Sequence, residues 1–259
     1  MSERRSLPGK FVWFEHSSTD SKKAQAFYAE VLGWKIRAFP MGSATYDMIF
    51  TGESLDTMIG GFGAPPRAGE RSRWISSVSV EDVDAAAQAA KECGGTILAA
   101  PWDLPGIARS ARIADPHGAE MVLFKRTTGD LPDSPAAKPG QFFWNELHTP
   151  DPTSALGFYE KVIGFSHREV GGPENSYFVV SKNGIDRGGV TSQPPRGIAP
   201  HWLPYVFVDD PDAATTRARA LGGTILVGPA DIPDIGRFGV LGDPTGAMLA
   251  VMKPLPMRK

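Results

Sequence analysis

Cysteine is nearly absent from this chain: Cys93 stands alone in 259 residues. One thiol closes no intrachain disulfide, which fits a reducing compartment. Long apolar runs are missing too. No stretch reaches the roughly 18 consecutive apolar residues of a membrane-crossing helix, and the opening MSERRSLPGK has no apolar core of the kind a signal peptide uses. A cytoplasmic protein without membrane contact is expected. An excess of one charge is also lacking. Lys and Arg number 27 against 29 Asp and Glu, for a net charge of −2 without a long basic run, so no nucleic-acid partner is expected. What is there is ordinary, with 41% hydrophobic and 22% charged residues. A chain of this length can bury two domain-sized cores.

Internal repetition organises the rest. FVWFEHSSTDSKKAQAFYAEVLGW, from Phe11 to Trp34, returns as FFWNELHTPDPTSALGFYEKVIGF, from Phe142 to Phe165. Trp13 and Trp144, Glu15 and Glu146, and the Phe-Tyr pairs at Phe27 and Phe158 coincide at one offset. A finer period lies inside each half. GGTIL occurs at Gly94 and Gly222, Trp74 matches Trp202, and Asp115-Pro-His-Gly-Ala matches Asp243-Pro-Thr-Gly-Ala. From Asp20 to Gly33, Asp82 to Gly95, Asp151 to Gly164 and Asp210 to Gly223 the interval is 13 residues each time. Asp suits a helix N-cap, and Gly suits the left-handed residue after a helix. Ala24, Phe27, Tyr28, Val31 and Leu32 form a core-facing helical stripe. Aromatic and β-branched runs such as Phe11 to Ser17 read as strands. The order predicts four copies of strand–helix–three strands. Internal copies of this kind are a sequence-level guide to architecture. Ala64 to Ser72 reads as a loop, and 127–139, rich in Pro, Gly, Asp and Ser, as a linker. The boundaries are 8–126 for the first domain and 140–254 for the second.

The four βαβββ copies, the helix ends FYAEVLGW and FYEKVIGF, and the DPHGA and DPTGA turns resemble the vicinal oxygen chelate superfamily, which holds glyoxalase I, bleomycin resistance proteins and extradiol dioxygenases. The resemblance runs from Lys10 to Lys253. It implies an α+β fold, with four units forming two glyoxalase-like domains whose open, mixed sheets curl into cups around a small molecule or metal. It also implies where metal ligands would stand. Those positions hold Trp13 and Trp144, Ile75 and Leu203, Val122 and Ala250, and the pairs Gly60–Gly61 and Gly188–Gly189. None has a metal-binding side chain, and a divalent ion needs several converging His or carboxylate ligands. No metal at these positions and no cofactor are expected.

Trp13 and Trp144 read either as core aromatics or as pocket floors that stack on a planar ligand. Glu15 and Glu146 share their strand face with those Trp. A carboxylate on a buried face must be paired. It is either an internal ion pair, with Arg109 and Arg237 as candidate partners, or a ligand anchor or general base. His148 lies two residues beyond Glu146, and Tyr46 and Tyr177 coincide on a middle strand. The expected ligand-binding set is Trp13, Trp144, Tyr46, Tyr177, Arg109, Arg237 and His148, with Glu15 and Glu146 as catalytic candidates. Three functions follow from these residues: a small-molecule binder or metal-independent enzyme, a metal-dependent lyase or dioxygenase using displaced ligands such as Glu146 and His148, or a non-catalytic partner-binding module. Four units complete two cups in one chain, so a monomer suffices, with a dimer as the alternative.

Overall fold

The computed structural model describes residues 5–41, 44–64, 69–134, 136–171, 176–192 and 197–256. Part of the loop expected at Ala64 to Ser72 lies outside them. Each of four modules starts with a strand, continues with a helix and ends with three strands. The first contains β1 (Phe11–Ser17), α1 (Ser21–Leu32), β2 (Lys35–Met41), β3 (Ala44–Phe50) and β4 (Met58–Phe62). The second contains β5 (Arg73–Ser79), α2 (Val83–Glu92), β6 (Thr96–Leu104), β7 (Ala108–Ala114) and β8 (Glu120–Arg126). The third contains β9 (Phe142–His148), α3 (Pro152–Ile163), β10 (Ser166–Val170), β11 (Tyr177–Lys182) and β12 (Ile185–Thr191). The fourth contains β13 (His201–Phe207), α4 (Pro211–Ala220), β14 (Thr224–Ile232), β15 (Gly236–Gly242) and β16 (Met248–Pro254).

The strands form two open, mixed, eight-stranded sheets, ordered β2-β3-β4-β1-β5-β8-β7-β6 and β10-β11-β12-β9-β13-β16-β15-β14. In every module the first strand pairs in parallel with the last, as Glu15 with Gly61, Ser77 with Val122, Glu146 with Gly189 and Tyr205 with Ala250. A parallel pair needs a long crossover, and the helix with its hairpin supplies it. The other pairings within each module are antiparallel.

The expected caps are present. The carboxylates of Asp20, Asp82, Asp151 and Asp210 accept from the backbone N–H three residues on, which satisfies a first-turn donor. The equal Asp-to-Gly interval, however, covers two different endings. Gly33 and Gly164 are left-handed caps, at φ 69° and 75°. In the second and fourth modules the left-handed residues are Gly94 and Gly222, at φ 84° and 81°. There the following glycine is set by packing: a Cβ on Gly95 would stand 2.7 Å from the Phe158 ring, and one on Gly223 would stand 2.8 Å from the Phe27 ring.

By compactness the chain divides into two units. One takes residues 1–13, 75–134 and 144–202, and the other takes 14–74, 135–143 and 203–259. Each draws on both sequence halves. In the first unit α2 packs on α3, over a core that includes Val78, Ile113, Met121, Leu123, Leu147, Phe158 and Trp202. In the second, α1 packs on α4, with Ala24, Phe27, Tyr28, Leu241 and Leu249 buried. The sequence halves describe the repeat, and the compact units describe its packing. The stretch read as a linker is tied down: Asp130 accepts from the Leu7 N–H and the Ser79 hydroxyl, both at 2.6 Å, and Asp133 pairs with Arg187 at 2.7 Å.

Candidate functional site

Alternation along β9 puts Asn145 and Leu147 in the core and leaves Trp144 and Glu146 half-buried on the other face, with His148 at the strand end. The Trp144 indole N–H donates to the Tyr177 hydroxyl at 3.0 Å, and that hydroxyl donates to Glu146 Oε2 at 2.8 Å. Glu146 Oε1 stands 2.9 Å from His148 Nε2. The His148 ring stacks on His201, which opens β13, with centroids 5.1 Å apart and planes 4° from parallel. One polar chain therefore runs from Trp144 through Tyr177 and Glu146 to His148, in the first compact unit.

The glycine pairs are set by this chain. Gly189 is paired with Glu146, and a Cβ there would fall on the Tyr177 hydroxyl. A Cβ on Gly188 would stand 2.5 Å from the Asn145 carbonyl oxygen. Gly61 and Gly60 play the same parts in the first half, against the Tyr46 ring and the Phe14 carbonyl. There the Tyr46 hydroxyl donates to Glu15 Oε2 at 3.0 Å. Both halves thus keep a Tyr laid across a glycine to reach a Glu. The halves then diverge. Ser17 stands where the second half has His148, and its hydroxyl donates to the Ala64 carbonyl at 2.9 Å.

Charge and burial tune these groups. Burial, with the Glu146 charge second, pushes the Tyr177 phenol far above its ordinary value, so it remains a donor. His201 is pulled down to about 4, first by burial and then by the His148 charge, against the opposing pull of the Ala199 carbonyl and Glu146. It is neutral at neutral pH. Its Nδ1 lies 2.8 Å from the Ala199 carbonyl, so Nδ1 carries the proton and Nε2 the lone pair.

Arg109 and Arg237 are placed elsewhere. Arg109 pairs with Asp84 at 2.6 Å and Asp103 at 2.9 Å, and Arg237 pairs with Asp212 and, at 3.2 Å, with Asp231. Each Arg ties its hairpin to the first turn of its own module's helix. Instead of an Arg, each Glu has a Tyr beside it, and Glu146 has His148 as well. The two Asp held by each Arg come from separate elements, so the spacing of Arg to Glu in the sequence was uninformative.

Sequence reasoning missed a buried polar network. The Trp74 and Trp202 indoles each donate at 2.9 Å to the Tyr28 and Tyr159 hydroxyls. Tyr159 donates to Asp115 at 3.2 Å, and Tyr28 bonds Asp243. His16, fully buried, sits 2.7 Å from Asp243. The motif residues of FY, Trp and DP-x-G therefore converge inside the core. Burial raises Asp115; in Asp243 the same push is outweighed by His16 and Thr245, and its pKa falls.

At the positions where the resemblance implies metal ligands, this chain has Trp13, Ile75, Val122 and Gly60 in the first half and Trp144, Leu203, Ala250 and Gly188 in the second. Indole, alkyl and glycine side chains offer no ligand, so these residues do not fit a metal. Among the described residues no three His, Cys, Asp or Glu side chains are grouped to hold one elsewhere.

Comparison with known proteins agrees with the geometry. A profile of the Glyoxalase/Bleomycin resistance protein/Dioxygenase superfamily matches residues 10–123 and 141–251. The chain belongs to that superfamily. It is 34% identical over 253 residues to CFP32 of Mycobacterium tuberculosis, a protein named provisionally as a glyoxylase, covering 95% of each chain. It is 27% identical to the anthracycline biosynthesis protein DnrV of Streptomyces peucetius, covering 96% of this chain and 94% of that one. Among solved structures, the Mn(II)-bound glyoxalase of Novosphingobium aromaticivorans superposes with a TM-score of 0.67 at 17% identity, covering 96% of this chain and 83% of the other. The 2,3-dioxygenase LapB of Pseudomonas sp. KL28 gives 0.63 at 14%, covering 100% and 97%. At these identities the two structures share the fold.

Proposed function

We propose that this superfamily member binds a small organic molecule against the half-buried face formed by Trp144, Tyr177 and Glu146, without the superfamily's usual metal ligands. The observation that carries this reading is the Trp144–Tyr177–Glu146 chain. The core already contains two Trp–Tyr–carboxylate chains, fully buried, that serve packing. A third such chain on a half-buried face orients a carboxylate toward something that arrives there. Trp144 offers a flat apolar surface, and Glu146 accepts a hydrogen bond. The ligand class is a planar molecule with a donor group, such as a phenol or an enolisable dicarbonyl compound. Glu15 and Tyr46 form the corresponding candidate pair in the first half. The chain acts in the cytoplasm as a monomer, with no nucleic-acid or membrane partner and no resident cofactor.

A second reading is a metal-dependent lyase or dioxygenase with Glu146 and His148 as displaced ligands, favoured by their 2.9 Å approach. The third nitrogen-bearing group, His201, counts against it. Imidazole lone pairs lie in the ring plane, and two stacked, near-parallel rings do not aim them at a common point. Metal analysis of purified, chelator-treated protein decides between the readings. Saturation-transfer NMR with a set of phenols and 1,3-dicarbonyl compounds tests the first. We expect hits that Tyr177→Phe weakens; a set without a hit, or hits indifferent to changes at Tyr177 and Glu146, contradicts it.

A further inference from the structure

We propose that the second module carries a separate binding site, in which Arg112, Ser110 and Trp102 hold a small aromatic carboxylate. The site lies on the first of the two sheets and is independent of the reading for Trp144, Tyr177 and Glu146, whose strands belong to the other. Its residues are neighbours by register. Trp102 stands opposite Ser110 across β6 and β7, Ser110 opposite Phe124 across β7 and β8, and Arg112 opposite Val122. Ser110 and Arg112 are two apart on one strand, so they share a face, and directly opposed residues share it with them. The other face of β7 packs on α2. There Ala111 and Ile113 join the core with Val83 and Ala87, and Arg109 reaches Asp84. The site face is therefore the one turned away from the helix.

Three observations on this face point to a ligand. Arg112 gives its Nε, at 3.1 Å, and its Nη2 to a single oxygen of Glu120. Nη1 has no partner among the described residues, and the edge formed by Nη1 and Nη2 is one that takes a carboxylate in two parallel bonds. The Ser110 hydroxyl is 1% exposed and has no partner among the described residues, an unfavourable state for a buried polar group. Trp102 is only half-buried and keeps part of its indole open for stacking. The charge has the right sign. On this face of β7 and β8 the charged residues are Arg112, Arg126 and Glu120, two cations against one carboxylate. The Arg126 guanidinium stands 5.9 Å from the centre of the Phe124 ring, the neighbour of Ser110 in the ladder.

The fourth module shows that the fold does not need these groups. The same positions there hold Ala230 for Trp102, Phe238 for Ser110, Val240 for Arg112, Met248 for Glu120 and Pro254 for Arg126. The register is equivalent: Ala230 pairs with Phe238, and Val240 with Ala250. Even the irregularities that precede Trp102 in β6 recur before Ala230 in β14. The aromatic ring has changed strands, and the charges and the hydroxyl are gone. Either set serves packing. Arg112 and the unpaired Ser110 hydroxyl carry a desolvation cost that the apolar set avoids, and a ligand carboxylate is the partner that offsets it. The rest of the ligand follows from Trp102. It is the diagonal neighbour of Arg112, about 7–8 Å away, which is the span of an aromatic ring with its carboxylate.

The test titrates benzoate and 1-naphthoate into the full chain by NMR, with benzamide and 1-naphthamide as neutral matches of the same shape. We expect both carboxylates to bind at least about tenfold more tightly than their amides, and less tightly as salt rises. Arg112→Gln should lose at least about tenfold in affinity for the carboxylates. Ser110→Ala should weaken binding several-fold at an unchanged or raised melting temperature, because it removes an unpaired hydroxyl; a serine kept for structure would lower it. If Arg112→Gln fails to fold because Glu120 is left alone, the double variant Arg112→Val, Glu120→Met takes its place. It carries the pair with which the fourth module already folds, and it should show the same loss. Arg168→Gln, on exposed β10, should match wild type. Equal affinity for a carboxylate and its amide, wild-type affinity in the double variant, or no carboxylate binding at millimolar concentration overturns the inference.

Discussion

His16 and Leu147 occupy the same place in the two halves, and the difference decides the state of a carboxylate. Asp243 has the imidazole at 2.7 Å and an acid strengthened below the ordinary Asp range. Asp115, in the compact unit that holds Leu147, is weakened by burial. Replacing His16 by Leu should therefore move Asp243 toward the Asp115 pattern. It removes one member of a buried pair, which costs about 3–5 kcal/mol. The sign with pH follows from the direction of the shift. A carboxyl lowered on folding contributes stability that is present above its unfolded pKa, about 3.9, and fades as pH falls through its folded value. Urea unfolding at pH 7 and pH 4 should show the deficit of His16→Leu largest at pH 7 and smaller at pH 4. An equal deficit at both pH values would mean that the lost energy is packing rather than charge.

Glycine at strand and helix ends sets how elements meet. Gly189→Ala should push the Tyr177 ring off Glu146, costing about 1–3 kcal/mol of overpacking and the binding face with it. Gly33→Ala should cost about 1 kcal/mol, since it strains a left-handed cap alone, and should leave binding intact. Thermal melts with ligand titration compare the two; equal effects on binding would mean that the glycine pair does not set the Tyr. At this scale much was legible. The interval from Asp20 to Gly33 announced caps, and Phe11 to Ser17 announced a strand that has those bounds. Other features were not. His16 meets Asp243 across 227 residues, and no periodicity signals a partner at that distance. Arg109 reads the same in sequence whether its carboxylates are Asp84 and Asp103 or Glu15. Trp74 and Trp144 look alike as letters, and only their burial separates the core chain from the half-exposed one.

The whole molecule interleaves its halves. The Phe27 ring of the first module seats on Gly223 of the fourth, and Phe158 of the third seats on Gly95 of the second. A fragment ending near residue 126 would leave Phe27 and Tyr28 without the surfaces that bury them to 3% and 1% exposure. We expect fragment 8–126 alone to aggregate or self-associate, and the full chain to remain a monomer in light scattering at low concentration. A well-folded monomeric fragment would show that each half is self-sufficient. The same interleaving places the candidate site, with Trp144, Glu146, His148, Tyr177 and His201 all in one compact unit. The most direct test of its role is calorimetric titration of a ligand found by NMR into wild type and Glu146→Gln, with melting temperatures measured alongside. An anchoring carboxylate predicts an affinity loss of about 1–3 kcal/mol, the scale of a charge-assisted hydrogen bond, with the melting temperature nearly kept. A lowered melting temperature at unchanged affinity would contradict it and make Glu146 a structural partner of Tyr177 and His148.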